Sequence, residues 1–96
     1  MGLRDRLPEL RGAIVAAATS CGASNVRLFG SAARGEERAD SDVDFLVRLE
    51  PGRTLLDLVR LEARLEQLIG RPVDVVTETS LREPVRSRAL REAVLV

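Results

Sequence analysis

The sequence contains no histidine, no lysine, no tryptophan and no tyrosine, and it has one cysteine. Without histidine there is no imidazole for acid–base catalysis and no His-ligated metal site. Without lysine there is no Schiff-base chemistry and no phosphate loop built on an invariant ammonium. Cys21 alone cannot form an intrachain disulfide or a cysteine zinc cluster, and fits a reducing compartment. With Phe29 and Phe45 as the only aromatics, a base-stacking platform for nucleic acid is disfavoured. No apolar run approaches the roughly 18 residues of a membrane span, and residues 1–9 lack a signal-peptide pattern. The expectation is a cytoplasmic chain that engages no membrane.

What is present is ordinary for a globular protein. The 96 residues are 45% hydrophobic and 31% charged, enough for one hydrophobic core and one domain over residues 1–96. Fifteen basic and fifteen acidic residues cancel, which argues against a strongly basic nucleic-acid binder. Any catalysis must therefore use carboxylates, arginine, hydroxyls and backbone, and carboxylates without His or Cys favour a hard cation such as Mg²⁺.

Apolar spacing predicts a helix from about Leu3 to Cys21, with Pro8 in its first turn, a stripe of Leu10, Ile14, Val15 and Ala18, and Gly22 as its stop. Asn25–Phe29 reads as a strand ended by Gly30-Ser31. Asp42–Leu49 reads as a strand with Val43, Phe45, Val47 and Leu49 on one side and Asp42, Asp44, Leu46 and Arg48 on the other. Thr54 and Asp57 form a capping-box spacing for a helix whose core stripe is Leu55, Leu58, Leu61, Leu65 and Leu68, ended by Gly70 and Pro72. Val73–Thr77 is a third strand. Ser80–Glu83 and Pro84 lead into a last helix with Val85, Ala89, Leu90 and Val94 as its apolar side. The order αβ(α)βαβα predicts an α+β domain, a small mixed sheet of three to four strands with helices packed on it.

The segment from Leu28 to Asp44 carries the chemistry. Gly30 and Gly35 have Walker A spacing, but Glu36 and Glu37 replace the Lys and Ser/Thr that motif needs. Asp40, Asp42 and Asp44 imitate an EF-hand start, but Phe45 and Pro51 stand where its Gly and Glu belong. What survives is Gly30-Ser31 at the end of one strand and Asp42-Val43-Asp44 at the start of the next. Alternation puts Asp42 and Asp44 on one face, about 7 Å apart along the strand, where a divalent cation would relieve their repulsion. Gly30 lets backbone approach a bulky ligand, a short helix from Ser31 would face a phosphate, and Arg34 could add a guanidinium fork. Asp74 interrupts an otherwise apolar strand. If that strand lies beside Asp44, three carboxylates converge, the set that holds two Mg²⁺ about 3.5–4 Å apart for phosphoryl displacement. Glu36, Glu37, Arg38 and Asp40 read as a solvated, mobile loop.

Gly30-Ser31, ten residues, then Asp42-Val43-Asp44 resembles the signature of the polymerase-β-like nucleotidyltransferases. Leu28–Gly35 and Ser41–Val47 resemble the minimal nucleotidyltransferases within them. The resemblance implies that Gly30, Ser31 and Arg34 bind the nucleotide, and that Asp42, Asp44 and Asp74 are the catalytic, Mg²⁺-ligating triad. It implies ATP as donor of AMP to a hydroxyl, a tyrosine, of a small helical HEPN-type toxin that this chain silences as antitoxin, and it allows a hetero-oligomer of the two. One alternative is a non-catalytic module that neutralises a toxin by occlusion. Another is transfer to a small molecule or an RNA end, disfavoured by neutral charge and by the lack of an accessory domain.

Overall fold

The computed structural model describes residues 2–38 and 41–96. Helix α1 spans Leu3–Ser20, strand β1 Ala23–Phe29, helix α2 Ser31–Arg34, strand β2 Val43–Leu49, helix α3 Leu55–Ile69 and strand β3 Val73–Thr77. A single 3₁₀ turn, Glu78–Ser80, leads to helix α4, Val85–Glu92, and strand β4, Val94–Leu95. The strands form one sheet in the order β3-β2-β1-β4. β1 runs antiparallel to β2 and β4, and β2 and β3 run parallel. Helix α3 supplies the crossover that parallel neighbours require.

One face of the sheet carries the core. Val26 and Leu28 of β1, Val43, Phe45 and Val47 of β2, and Val73 and Val75 of β3 pack against Leu7, Ile14 and Ala18 of α1 and Leu61, Leu65 and Ile69 of α3. The opposite face presents Arg27 and Phe29, Asp44 and Leu46, and Asp74 and Val76, as period-two alternation requires. Polar chemistry is thereby confined to one side of the sheet.

Several sequence expectations are corrected. Helix α4 ends at Glu92, and Val94 lies in a fourth strand, where it pairs with Leu28. Ala89 is the buried residue of α4, while Val85 and Leu90 are exposed. Leu55 is 74% exposed, because the first residue of α3 lies off the line through the buried Leu61, Leu65 and Ile69. Val15 is exposed and Leu10 only partly buried, so α1 faces the core through Leu7, Ile14 and Ala18. Pro8 lies in the second turn of α1, not the first. The capping spacing at Thr54 holds: its N–H donates to Asp57 Oδ2 at 2.9 Å, and that bond keeps the Asp57 carboxyl below its usual range.

The edge strand β3 is covered by α3. The outward N–H groups of Val73 and Val75 donate to Glu66 Oε2 at 2.9 Å and Glu62 Oε2 at 2.8 Å. Two glutamates one helical turn apart thus satisfy an edge that would otherwise be open to pairing. On the opposite face, Arg27 donates to Glu78 and so bridges from β1 to the end of β3. Leu46, the cross-strand partner of Arg27, lies between them and is fully buried.

The Arg27 hydrogen bond holds the Glu78 carboxyl below its usual range. A carboxylate whose pKa falls on folding stabilises the fold above its unfolded value, near 4.5, and loses that contribution as pH drops through the folded one. Glu78→Gln should therefore cost under about 1 kcal/mol at pH 7, and nothing in acid below both values. Thermal melts of the two proteins as a function of pH should converge at the acid end.

Candidate functional site

The turn after β1 is built around Gly30, at φ 72° and ψ −151°. Only glycine enters that backbone region without strain. A Cβ at this position would lie 2.8 Å from Asp44 Oδ2. Gly30 is thus required twice, for its dihedrals and for the space its missing side chain leaves to Asp44. Ser31 then opens α2, where the amides of Ser31, Ala32 and Ala33 precede the first helical bond, from the Arg34 N–H to the Gly30 carbonyl at 3.2 Å. Gly30→Ala should cost about 1–3 kcal/mol from backbone strain alone. Because it also displaces the Asp44 carboxylate, any reaction at this site should fall about a hundredfold. A melt and a single-turnover rate on the same variant check both.

Asp44 and Asp74 occupy directly neighbouring positions on the parallel strands β2 and β3, and Phe29 neighbours Asp44 on its other side. These three side chains form a row on the open face. Asp44 is partly buried, and burial pushes its carboxyl above the usual range, with the charges of Asp74 and Asp42 adding to the effect. Asp42 is exposed and lies one residue before β2, so the strand begins at Val43 and not at Asp42. Asp74 is exposed on the edge strand. As they stand, the described side chains include no group of three His, Cys, Asp or Glu close enough to grip one ion. The donor set nevertheless fits a hard divalent cation: oxygen ligands only, a carboxylate disfavoured in its charged form, and like charges next to it.

Arg34 lies at the end of α2, where its guanidinium meets Glu36 Oε2 at 3.0 Å and Glu92 Oε2 at 2.8 Å. In this structure its partners are therefore carboxylates. Asp40 lies outside the described residues.

Three supporting residues escaped the sequence reading. Glu37, expected in a solvated loop, has a side chain only 6% exposed. It accepts from the N–H of Leu3 and pairs with Arg71. Arg71 also donates to the carbonyls of Arg38 at 2.8 Å and Ser41 at 2.7 Å, which fastens the segment entering Asp42 to the start of β3. Glu62, besides holding Val75, has its carboxyl pushed up by burial, with the neighbouring Asp74 contributing. An Arg between Gly70 and Pro72 looks like turn filler in sequence, and nothing local marks its reach across 30 residues. The i,i+4 spacing of Glu62 and Glu66 beside Leu61 and Leu65 was a visible signal, since it places both on the flank of the buried stripe.

Residues 13–96 match the nucleotidyltransferase domain family. The protein adenylyltransferase MntA of Thermococcus cleftensis is 44% identical over 75 residues, covering 78% of this chain and 76% of that protein. A Methanocaldococcus jannaschii protein provisionally named protein adenylyltransferase MJ0435 is 41% identical over 86 residues, covering 90% and 92%. A solved structure provisionally described as a minimal nucleotidyltransferase superposes with a TM-score of 0.86 at 48% identity, over 100% of this chain and 97% of that one. A toxin–antitoxin structure with AMP-PNP shares the fold at a TM-score of 0.74 and 19% identity, over 88% and 69%.

Proposed function

This chain belongs to the nucleotidyltransferase domain family, and we propose that it transfers AMP from ATP to a tyrosine hydroxyl of a HEPN-type toxin, with Mg²⁺, and so acts in the cytoplasm as that toxin's antitoxin. The observation that carries this reading is the register of Asp44 against Asp74, with Gly30 leaving the Asp44 carboxylate the room that a Cβ would take. Relatives at 44% and 41% identity carry protein adenylyltransferase names, which supports the choice of a protein acceptor.

Asp42, Asp44 and Asp74 would hold the two ions, which supply charge neutralisation at the phosphates and lower the pKa of the acceptor hydroxyl. The Gly30-Ser31 turn would hold the donor phosphates. In the transfer, the acceptor oxygen bonds to the α-phosphorus as the bond to the bridging oxygen breaks, and that electron pair leaves on pyrophosphate. Asp74, at the exposed end of the row, receives the hydroxyl proton.

ATP labelled on the α-phosphorus should mark the partner, and ATP labelled on the γ-phosphorus should not. Label arriving from the γ-position would overturn AMP transfer. Silencing by occlusion is favoured by one observation, the exposed Leu55, Leu56 and Val59 at the start of α3. If Asp42→Ala/Asp44→Ala still protects cells from the toxin at native expression, occlusion replaces chemistry.

A further inference from the structure

On the open face of the sheet a recess of about 210 Å³ is lined by Phe29, Arg34, Val85, Arg88, Ala89 and Glu92. Its floor, Phe29, is the cross-strand neighbour of Asp44. One wall is the end of α2, where Arg34 stands about 4.5 Å along the helix from Ser31. The other wall is α4. Within the recess a single carboxylate holds two guanidinium groups: Glu92 Oε2 takes Arg34 Nη1 at 2.8 Å, and Glu92 Oε1 takes Arg88 Nε at 3.2 Å. Glu36 holds the remaining side of Arg34, from the outer rim. Two forks aimed at one oxyanion, beside the turn assigned to the donor phosphates, form a place shaped for an oxyanion that the protein fills with its own carboxylate.

We propose that this recess receives the pyrophosphate end of the donor, that Arg88 is a second phosphate-binding arginine beside Arg34, and that Glu92 is an internal placeholder which the incoming phosphates displace. The inference rests on the nucleotidyl-transfer reading above and extends it to residues of α4. Because the pyrophosphate gains the electron pair of the broken bond, guanidinium groups here also favour its departure.

The two positions have opposite consequences. Arg88→Gln removes a charged donor and should weaken binding of magnesium pyrophosphate, measured by calorimetry, about tenfold. Glu92→Gln removes the competing carboxylate and should tighten the same binding several-fold. A purely structural ion pair would predict weaker binding, or no change, in both variants. Melting curves of both proteins confirm that each is folded, and the side chain of Arg88 is 64% exposed, so its removal leaves no gap in the core.

Unchanged binding in Arg88→Gln, weaker binding in Glu92→Gln, or no pyrophosphate binding by the unaltered protein would each overturn the proposal. Failure of the transfer reading shows differently, as pyrophosphate bound normally while no label reaches the partner. If Arg88→Gln instead raises the KM for the acceptor protein and leaves pyrophosphate binding intact, the recess takes the acceptor side chain and the proposal is wrong.

Discussion

Asp44→Asn should melt several degrees higher than the unaltered protein in the absence of metal, while losing nearly all transfer. The Asp44 carboxyl is pushed up first by burial and then by the charges of Asp74 and Asp42, so at neutral pH its ionised form destabilises the fold. An amide of the same shape removes that charge. The expected gain is about 1 kcal/mol, of the size found when a strained functional site is relaxed, or about 4–8 °C for a chain of this length. The gain has a pH signature. It is complete above the raised folded pKa and vanishes below the unfolded value, near 3.8, where both states carry the proton. Mg²⁺ should reverse the order of the two melting temperatures, because it stabilises only the protein that retains its ligand. Transfer should fall about a thousandfold or more, the scale seen when electrostatic stabilisation of a transition state is removed. Equal melting temperatures without metal, with Mg²⁺ affecting both proteins alike, would show that Asp44 is an ordinary surface carboxylate.

Arg71→Ala should be the most damaging change to stability outside the core. The guanidinium pairs with Glu37, whose side chain is almost fully buried, and donates to the carbonyls of Arg38 and Ser41. Truncation leaves the Glu37 charge buried with only the Leu3 N–H for company, and such losses cost about 3–5 kcal/mol. It also releases the segment that delivers Asp42 to the site, so transfer should fall beyond what the remaining folded fraction explains. Arg71→Lys should recover only part of either effect, because a point charge cannot replace a planar fork shared among three acceptors. Denaturant melts and a rate measured well below the transition separate the two losses. A loss below about 1 kcal/mol would mean that the clamp is dispensable.

The legible part of this protein was the part governed by period and spacing. Alternation over Asp42–Leu49 puts Asp44 on the face opposite the core, and the lone Asp74 in an apolar strand marks a carboxylate whose place beside Asp44 only the β2–β3 pairing supplies. The two-faced strand is legible for that reason, whereas the short helix at Ser31 is a condition in the sequence that the fold supplies. What escaped was long-range. Glu37 and Arg71 are 34 residues apart, and only the folded chain shows that Glu37 is pinned while Glu36 and Arg38 beside it stay exposed. Strand β4 was hidden because two residues carry no periodicity, and its existence depends on the unpaired edge of β1. The exposure of Leu55 shows the limit of counting leucines: membership of a helical stripe says nothing about whether anything lies opposite it.

The central claim is that Asp42, Asp44 and Asp74 carry nucleotidyl transfer to a protein. The purified chain should be incubated with ATP, Mg²⁺ and the proposed HEPN-type partner, and both proteins weighed by intact mass spectrometry, alongside the same mixture made with Asp44→Asn. The expected result is a gain of one or more AMP units on the partner with the unaltered chain and none with the variant. An unmodified partner in a stable complex with either protein, or equal modification by both, would contradict it.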